Sequence, residues 1–430
     1  MTLLGAFRAS RPVFPEIKSF ESALSPNVIS RNGVFPRSIL DIASFSEHLD
    51  RRTNRFTRTD IPALNSLAVD SLLCLFDEKE SLFCRRARLT KNGFCREKVS
   101  GKLSAIAMLG LRRLAESGVT CRFDLSSIQD AIWKDRSWIK GIGDLGLLTW
   151  FTAACIPERL RAVFDDYDFS KAITAYSDGR EARTASLAWF LAGISHAHLA
   201  GRSNTPDLTD VAVETYNLIQ ENQGEEGIFG HAAALPGFFN HGICNRFGRF
   251  SDQVYAIYAL STFARAFQIE EPVEPALECA NSICALQGEM GQWWFLYDKR
   301  TCRVASRYPV LSGQQDGIAP ASLLALSEAT GQNFRDPIYK GLSWITGTNE
   351  LGSDLRNLEE AVIWDSIGPK RCTTKWWDRA CNLLSISSGT RAANLNIVYE
   401  ARPDHFGWLL YAFGKFGLPK EAVSVRTAKA

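Results

Sequence analysis

Hydrophobic residues along the chain recur at helical spacing. Leu64, Leu67, Ala68, Leu72 and Leu73 form one stripe, Leu103, Ile106, Leu109 and Leu114 a second, and Val211, Val213, Tyr216 and Ile219 a third, within a helix expected over 207–222. The same periodicity predicts helices near 138–153, 180–199, 252–268, 273–287, 317–330, 336–347, 374–385, 404–414 and 420–427. Alternating runs of the kind that mark half-buried strands are scarce. Some of the expected helices have a wet side, as with Asp210, Glu214 and Glu221 in the third stripe. Others, such as Ala185 to Gly193 and Tyr255 to Leu260, are apolar nearly all round and must be enclosed on every side. Wet and dry helices in alternation predict two concentric layers. Residues 1–58 break the pattern with Pro12, Pro15, Pro26 and Pro36, and read as an irregular N-terminal arm before a single helical domain over 59–430.

Composition narrows the possibilities. The 430 residues are 46% hydrophobic and include 26 Phe, 11 Trp and 10 Tyr, enough for a large core and too many for a disordered chain. Forty-nine basic against 47 acidic residues give a net charge of +2, so nucleic acid is not an expected partner. No apolar run reaches the roughly 18 residues of a membrane span, and Arg8, Arg11 and Pro12 interrupt any signal-peptide core, so a cytoplasmic protein with no integral membrane segment is expected. Eleven Cys without a CxxC pair, and six His without zinc spacing, predict reduced thiols, no metal site and no cofactor. Phosphate loops, Gly-x-Ser-x-Gly elbows and His-Glu-x-x-His are missing as well.

The strongest internal signal is a repeat. Gln287-x-x-x-Gly291-x-Trp293 follows one helix, and Gln223-x-x-x-Gly227-x-Phe229 follows another, 64 positions earlier. Glycine suits the left-handed residue at a helix end, the aromatic folds back, and the Gln amide can bond the freed carbonyls. This motif resembles the Gln-Trp repeat of the squalene-cyclase and prenyltransferase superfamily, whose members, like the six-hairpin glycosidases, fold as toroids of about six helical hairpins. The resemblance implies an all-α fold, an (α/α)6 toroid, with a central cleft lined by the N-terminal ends of the inner helices.

Polar residues just ahead of dry helices are therefore the candidates. Asp316, after Arg307, Tyr308 and Gln315, precedes the dry helix at Ala321; it is either a helix cap or an acid whose pKa a poorly solvated cleft would raise. Asp252 and Tyr255, three apart, share a helix face, with His241 and Arg246 in the loop before them; a capped helix with a loop His in water is the plainer alternative. Asp404 and His405 open the last dry helix, with Trp408 one turn on, and Asp144 lies among glycines before another. Trp364, Trp376, Trp377 and Tyr399 would furnish stacking platforms if they face the cleft, and core if they do not.

These groups suit acid/base chemistry on an oligo- or polysaccharide. Asp316 with Asp252 or Asp404 would be the carboxyl pair of a glycoside hydrolase. His241 and Tyr255, with Arg246 or Arg307 on a uronate carboxylate, would instead serve a lyase or epimerase. The expected substrate-binding set is Arg246, Arg307, Tyr308, Gln315, His405, Trp408, Trp364 and Asp144. An isoprenoid cyclase using Asp316 as its acid is the alternative the repeat favours, although Asp165-Asp166-Tyr167-Asp168 is not in the order of the class II cyclase acid motif. A scaffold that binds glycan or peptide in its cleft without reacting is a third.

Overall fold

The inner helices are held by contact of apolar faces on both sides, and their order around the molecule follows from which touch which. The computed structural model describes residues 56–91, 93–178, 183–201, 207–232, 245–370 and 394–419. Their helices are α1 (Ile61–Leu75), α2 (Gly101–Ala115), α3 (Leu125–Lys134), α4 (Ile142–Cys155), α5 (Leu160–Asp166), α6 (Phe169–Asp178), α7 (Thr184–Leu199), α8 (Thr209–Glu221), α9 (Phe250–Phe267), α10 (Val273–Ala285), α11 (Ala319–Thr330), α12 (Arg335–Ile345) and α13 (Pro403–Phe413). A π-helical turn, Gln314–Ile318, leads directly into α11.

Six of these helices form a closed ring. Helix α2 packs on α4, α4 on α7, α7 on α9, α9 on α11, α11 on α13, and α13 returns to α2. The others cover it from outside: α1 lies on α13, α3 on α2, α5 and α6 on α4, α8 on α7, α10 on α9, and α12 on the π turn and α11. Helices α4, α7, α9, α11 and α13, dry in the sequence, form the ring together with the amphipathic α2, and most of the covering helices are amphipathic. Helices α3, α5 and α6 were not among those expected; they are short, and a polar Asp165-Asp166-Tyr167-Asp168 stretch joins the last two. The expected helices at 374–385 and 420–427 lie outside the described residues, as do Trp376, Trp377, His241 and all but the last residues of the arm.

Glycine sets the closest approaches in the ring. A Cβ on Gly146 of α4 would lie 2.3 Å from the Trp189 carbonyl of α7, and one on Gly110 of α2 would lie 2.2 Å from the Gly407 carbonyl of α13. Among the described residues thirteen short strands lace the connecting loops. They are β1 (Phe76–Asp77), β2 (Leu82–Phe83), β3 (Ala87–Thr90), β4 (Gly93–Arg96), β5 (Phe247–Arg249), β6 (Leu296–Asp298), β7 (Arg303–Ser306), β8 (Val310–Leu311), β9 (Arg356–Asn357), β10 (Val362–Ile363), β11 (Ser366–Pro369), β12 (Leu395–Val398) and β13 (Glu400–Ala401). They pair antiparallel as β1–β2, β4–β3–β13, β5–β6–β7, β8–β11–β12 and β9–β10. Strands β5, β8 and β13 feed α9, the π turn and α13, so small sheets brace the leading ends of three inner helices.

Both repeats form the turn their residues imply. Gln223 Nε2 donates to the Gly227 carbonyl at 3.1 Å and to the Pro275 carbonyl of α10 at 2.9 Å; Gln287 Nε2 donates to Gly291 at 3.1 Å and to Pro337 of α12 at 3.0 Å. Gly227 and Gly291 have φ of +82° and +98°. Each repeat thus ties one outer helix to the next.

Candidate active site

Aromatic rings from four inner helices fill the middle of the ring. Trp150 of α4 stacks on His196 of α7 and on Tyr258 of α9, both at 4.9 Å, and meets Trp408 and Tyr411 of α13 at 5.5 and 5.4 Å. His196 Nε2 shares a hydrogen bond of 2.8 Å with the Tyr258 hydroxyl, and the Arg113 guanidinium of α2 donates to Tyr411 Oη at 3.0 Å. Burial, with the Arg113 charge nearby, lowers His196 to about 3, so the imidazole stays neutral.

Toward the leading ends of the same helices the lining becomes polar. Trp189 of α7 meets Tyr255 of α9 edge to face at 5.2 Å, and Tyr255 meets Trp408 at 5.9 Å. Lys102, in the first turn of α2, lies over the Trp189 ring at 4.8 Å and donates to Asp144 of α4 at 2.6 Å. Arg402 grips Asp404 through Nε and Nη2, both at 3.1 Å, and the two remain partly open to solvent. Asp365 lies close enough to Arg402 and Asp404 to feel both charges, and its carboxyl accepts no hydrogen bond from the described residues. Burial raises the Asp365 pKa, with Arg402 opposing. Burial likewise raises the Tyr255 phenol, helped by the Asp404 charge, so it is a hydroxyl donor at any ordinary pH. The indole N–H groups of Trp189 and Trp408 are buried without a hydrogen-bond partner among the described residues. Five inner helices thus contribute donors, acids, cations and ring faces to one mouth.

The other residues singled out in the sequence are placed as follows. Asp316 is fully buried, and both its oxygens meet His405 Nε2, at 2.8 and 2.9 Å. Burial raises Asp316; burial opposes the charge on His405, yet the adjoining Asp316 carboxylate lifts its pKa above the usual value. Asp252 is also fully buried, and its Oδ2 accepts from the Arg249 backbone at 2.8 Å and meets His231 Nδ1 at 3.0 Å. Gln315 clamps the Trp293 backbone, accepting from its N–H at 3.1 Å. Arg246 pairs with Asp298 at 2.6 Å, Arg307 covers the Trp294 ring at 5.3 Å, and the Tyr308 hydroxyl donates to Glu350 at 2.8 Å. Trp364 is buried between Phe94 and the half-exposed Tyr399. No group of His, Cys, Asp and Glu suited to a metal ion occurs among the described residues, and none of their helices is long and apolar enough to cross a membrane.

Sequence reasoning missed Lys102, Trp189, His231 and Asp365. Of these, His231 had a signal. It follows the Phe229 of one repeat by two residues, where the other repeat has Phe295.

No protein-family model and no curated protein matches this sequence. Solved structures do resemble the fold. An unsaturated glucuronyl hydrolase specific for heparin superposes with a TM-score of 0.54 over 86% of this chain and 99% of its own, at 10% identity. A possible GH105 family member from Klebsiella pneumoniae gives 0.55 over 90% and 98%, at 10% identity. The unsaturated glucuronyl hydrolase of Streptococcus agalactiae gives 0.53 over 86% and 96%, at 13%. This chain therefore shares the helical fold of these solved structures.

Proposed function

We propose that the chain is a glycoside hydrolase for uronate-containing oligosaccharides, built as an (α/α)6 toroid and working in the cytoplasm. The observation that carries this reading is a run of contacts at the leading ends of the inner helices, from Asp144 and Lys102 through Trp189, Tyr255 and Trp408 to Asp404, Arg402 and Asp365. The likeness to unsaturated glucuronyl hydrolases over most of both chains supports it. Indole and phenol faces are suited to stacking on sugar rings. Lys102 and Arg402 hold the carboxylate of a uronate. Asp365, whose carboxyl burial pushes above the usual carboxylate range, gives its proton to the departing glycosidic oxygen. Asp404 faces the positive charge that grows on the sugar ring as the bond lengthens.

The isoprenoid alternative needs Asp316 as an acid open to its substrate. Asp316 is sealed against His405, so the acid of this reading is Asp365. The experiment is incubation of the purified chain with unsaturated-uronyl, saturated-uronyl and neutral disaccharides, following new reducing ends and loss of the double-bond absorbance. Product from uronyl substrates alone is expected, and Asp365→Asn should reduce it by about 10²–10⁴-fold. No product from any uronyl sugar overturns the reading.

A further inference from the structure

The acid proposed above lacks a counterpart. Hydrolysis also needs a group to take a proton from water, and Asp365 stands on the α11–α13 side of the mouth. We propose that His231 is that base and Asp252 its positioning residue; the assignment rests on the hydrolase reading.

His231 is fixed from three directions. Its backbone N–H donates to the Phe247 carbonyl of β5 at 2.8 Å, and its carbonyl accepts from Thr184 N, the first residue of α7, at 3.0 Å. Its Nδ1 meets Asp252 Oδ2 at 3.0 Å. The imidazole thus sits between the leading ends of α7 and α9, the helices whose Trp189 and Tyr255 rings touch inside the mouth. The Asp252 side chain is 1% exposed and that of His231 24% exposed. Asp252 Oδ2 already accepts from the Arg249 N–H, so an ionised carboxylate leaves Nδ1 as donor and puts the lone pair on Nε2. Asp252 Oδ1 is buried with no hydrogen-bond partner among the described residues, an arrangement that costs stability unless the carboxylate has work to do.

The sister repeat argues that this work is not packing. Gln253 clamps Phe229, accepting from its N–H and donating to its carbonyl, both at 2.8 Å. Gln315 does the same to Trp293, at 3.1 and 3.4 Å. Two residues after each aromatic stand His231 and Phe295; one before each clamp stand Asp252 and Gln314. The turn therefore folds without a His or an Asp in those places.

In the reaction, water gives a proton to His231 Nε2 while its oxygen bonds to the anomeric carbon. The bond from that carbon to the glycosidic oxygen breaks, and the oxygen takes the Asp365 proton. Solvent then returns a proton to Asp365 and removes one from the imidazolium. The acid on the α11–α13 side and the base between α7 and α9 meet the sugar from different sides, which leaves room for the water.

The test uses the full chain. His231→Ala should reduce kcat on an unsaturated-uronyl disaccharide by about 10²–10⁴-fold with KM and thermal midpoint little changed, and added imidazole should restore part of the rate. Asp252→Asn should lower kcat less. Nitrogen-15 histidine spectra, with the His231 signal assigned by its loss in His231→Gln, should report hydrogen on Nδ1 and none on Nε2. Hydrogen on Nε2 in the unmodified protein, or His231→Ala activity within a few-fold of it, overturns the proposal. A chain inactive on every uronyl sugar defeats the hydrolase reading, while the tautomer still decides whether His231 is set up as a base.

Discussion

Two His–Asp pairs stand at the leading ends of inner helices, made of the same parts and turned in opposite senses. His405 presents Nε2 to both oxygens of Asp316, with 5% and 0% of the side chains exposed. His231 presents Nδ1 to a single oxygen of Asp252, with 24% of its side chain exposed. The first pair joins the π turn to α13 and is closed off from solvent. The second buries its acid and leaves its imidazole partly open. Which nitrogen faces the acid, and which residue is covered, separates a strut from a tool.

Removing half of the strut should have the largest effect. Asp316→Ala strands a buried imidazole and should cost about 3–5 kcal/mol of unfolding free energy in urea titration. A loss below about 1 kcal/mol would erase the contrast between the pairs.

Acidity supplies a second cut, because a third imidazole lacks a carboxylate. His196 binds only a hydroxyl, and burial lowers it to about 3. An unfolded His near 6.5 takes up a proton the folded one refuses, so its share of stability falls as pH drops from about 6.5 toward 3, by a few kcal/mol at most. Asp316 and His405 are both raised, so the folded pair keeps protons the unfolded chain gives up, and its share falls as pH rises. Unfolding free energies measured from acid to alkaline pH should show both limbs. His196→Gln should flatten the acid limb alone; an unchanged acid limb would mean another group dominates there.

Asp252→Ala comes next, at about 1–2 kcal/mol, since it removes the cap on Arg249 N–H and one imidazole bond but strands no enclosed charge. A loss as large as that of Asp316→Ala would make both pairs struts. The smallest effect belongs to Arg265→Ala, whose exposed guanidinium meets the partly exposed Glu328 at 2.7 Å and should be worth under about 1 kcal/mol. Thermal midpoints of the two variants, compared side by side, give the ranking.

Much of the ring was legible in the sequence, because an all-apolar helix has one kind of place to go. Helices α4, α7, α9 and α13 were each anticipated to within a few residues, and the Gln-x-x-x-Gly-x-aromatic turns formed the bonds their residues imply. Asp144 and Asp404, chosen because they open dry helices, stand at the leading ends of the ring, with Tyr255 and Trp408 about one turn further along theirs. Asp365 escaped notice since it lies between two short strands and joins the others only through pairings across the chain. Gln315 shows the reverse case: a polar residue ahead of a dry helix whose amide is spent on the backbone of Trp293. Spacing along a helix reports its faces; it does not report which distant carbonyl a side chain will find.

The contact of α13 with α2, where Gly407 meets Gly110 across a gap no side chain could enter, also governs how the molecule comes into being. The first inner helix must wait on the ribosome with one apolar side bare until the last has emerged, a delay of some three hundred residues. Chains cut short before Pro403 cannot seal the circle, and should collect in the insoluble fraction even though most of their helices are complete.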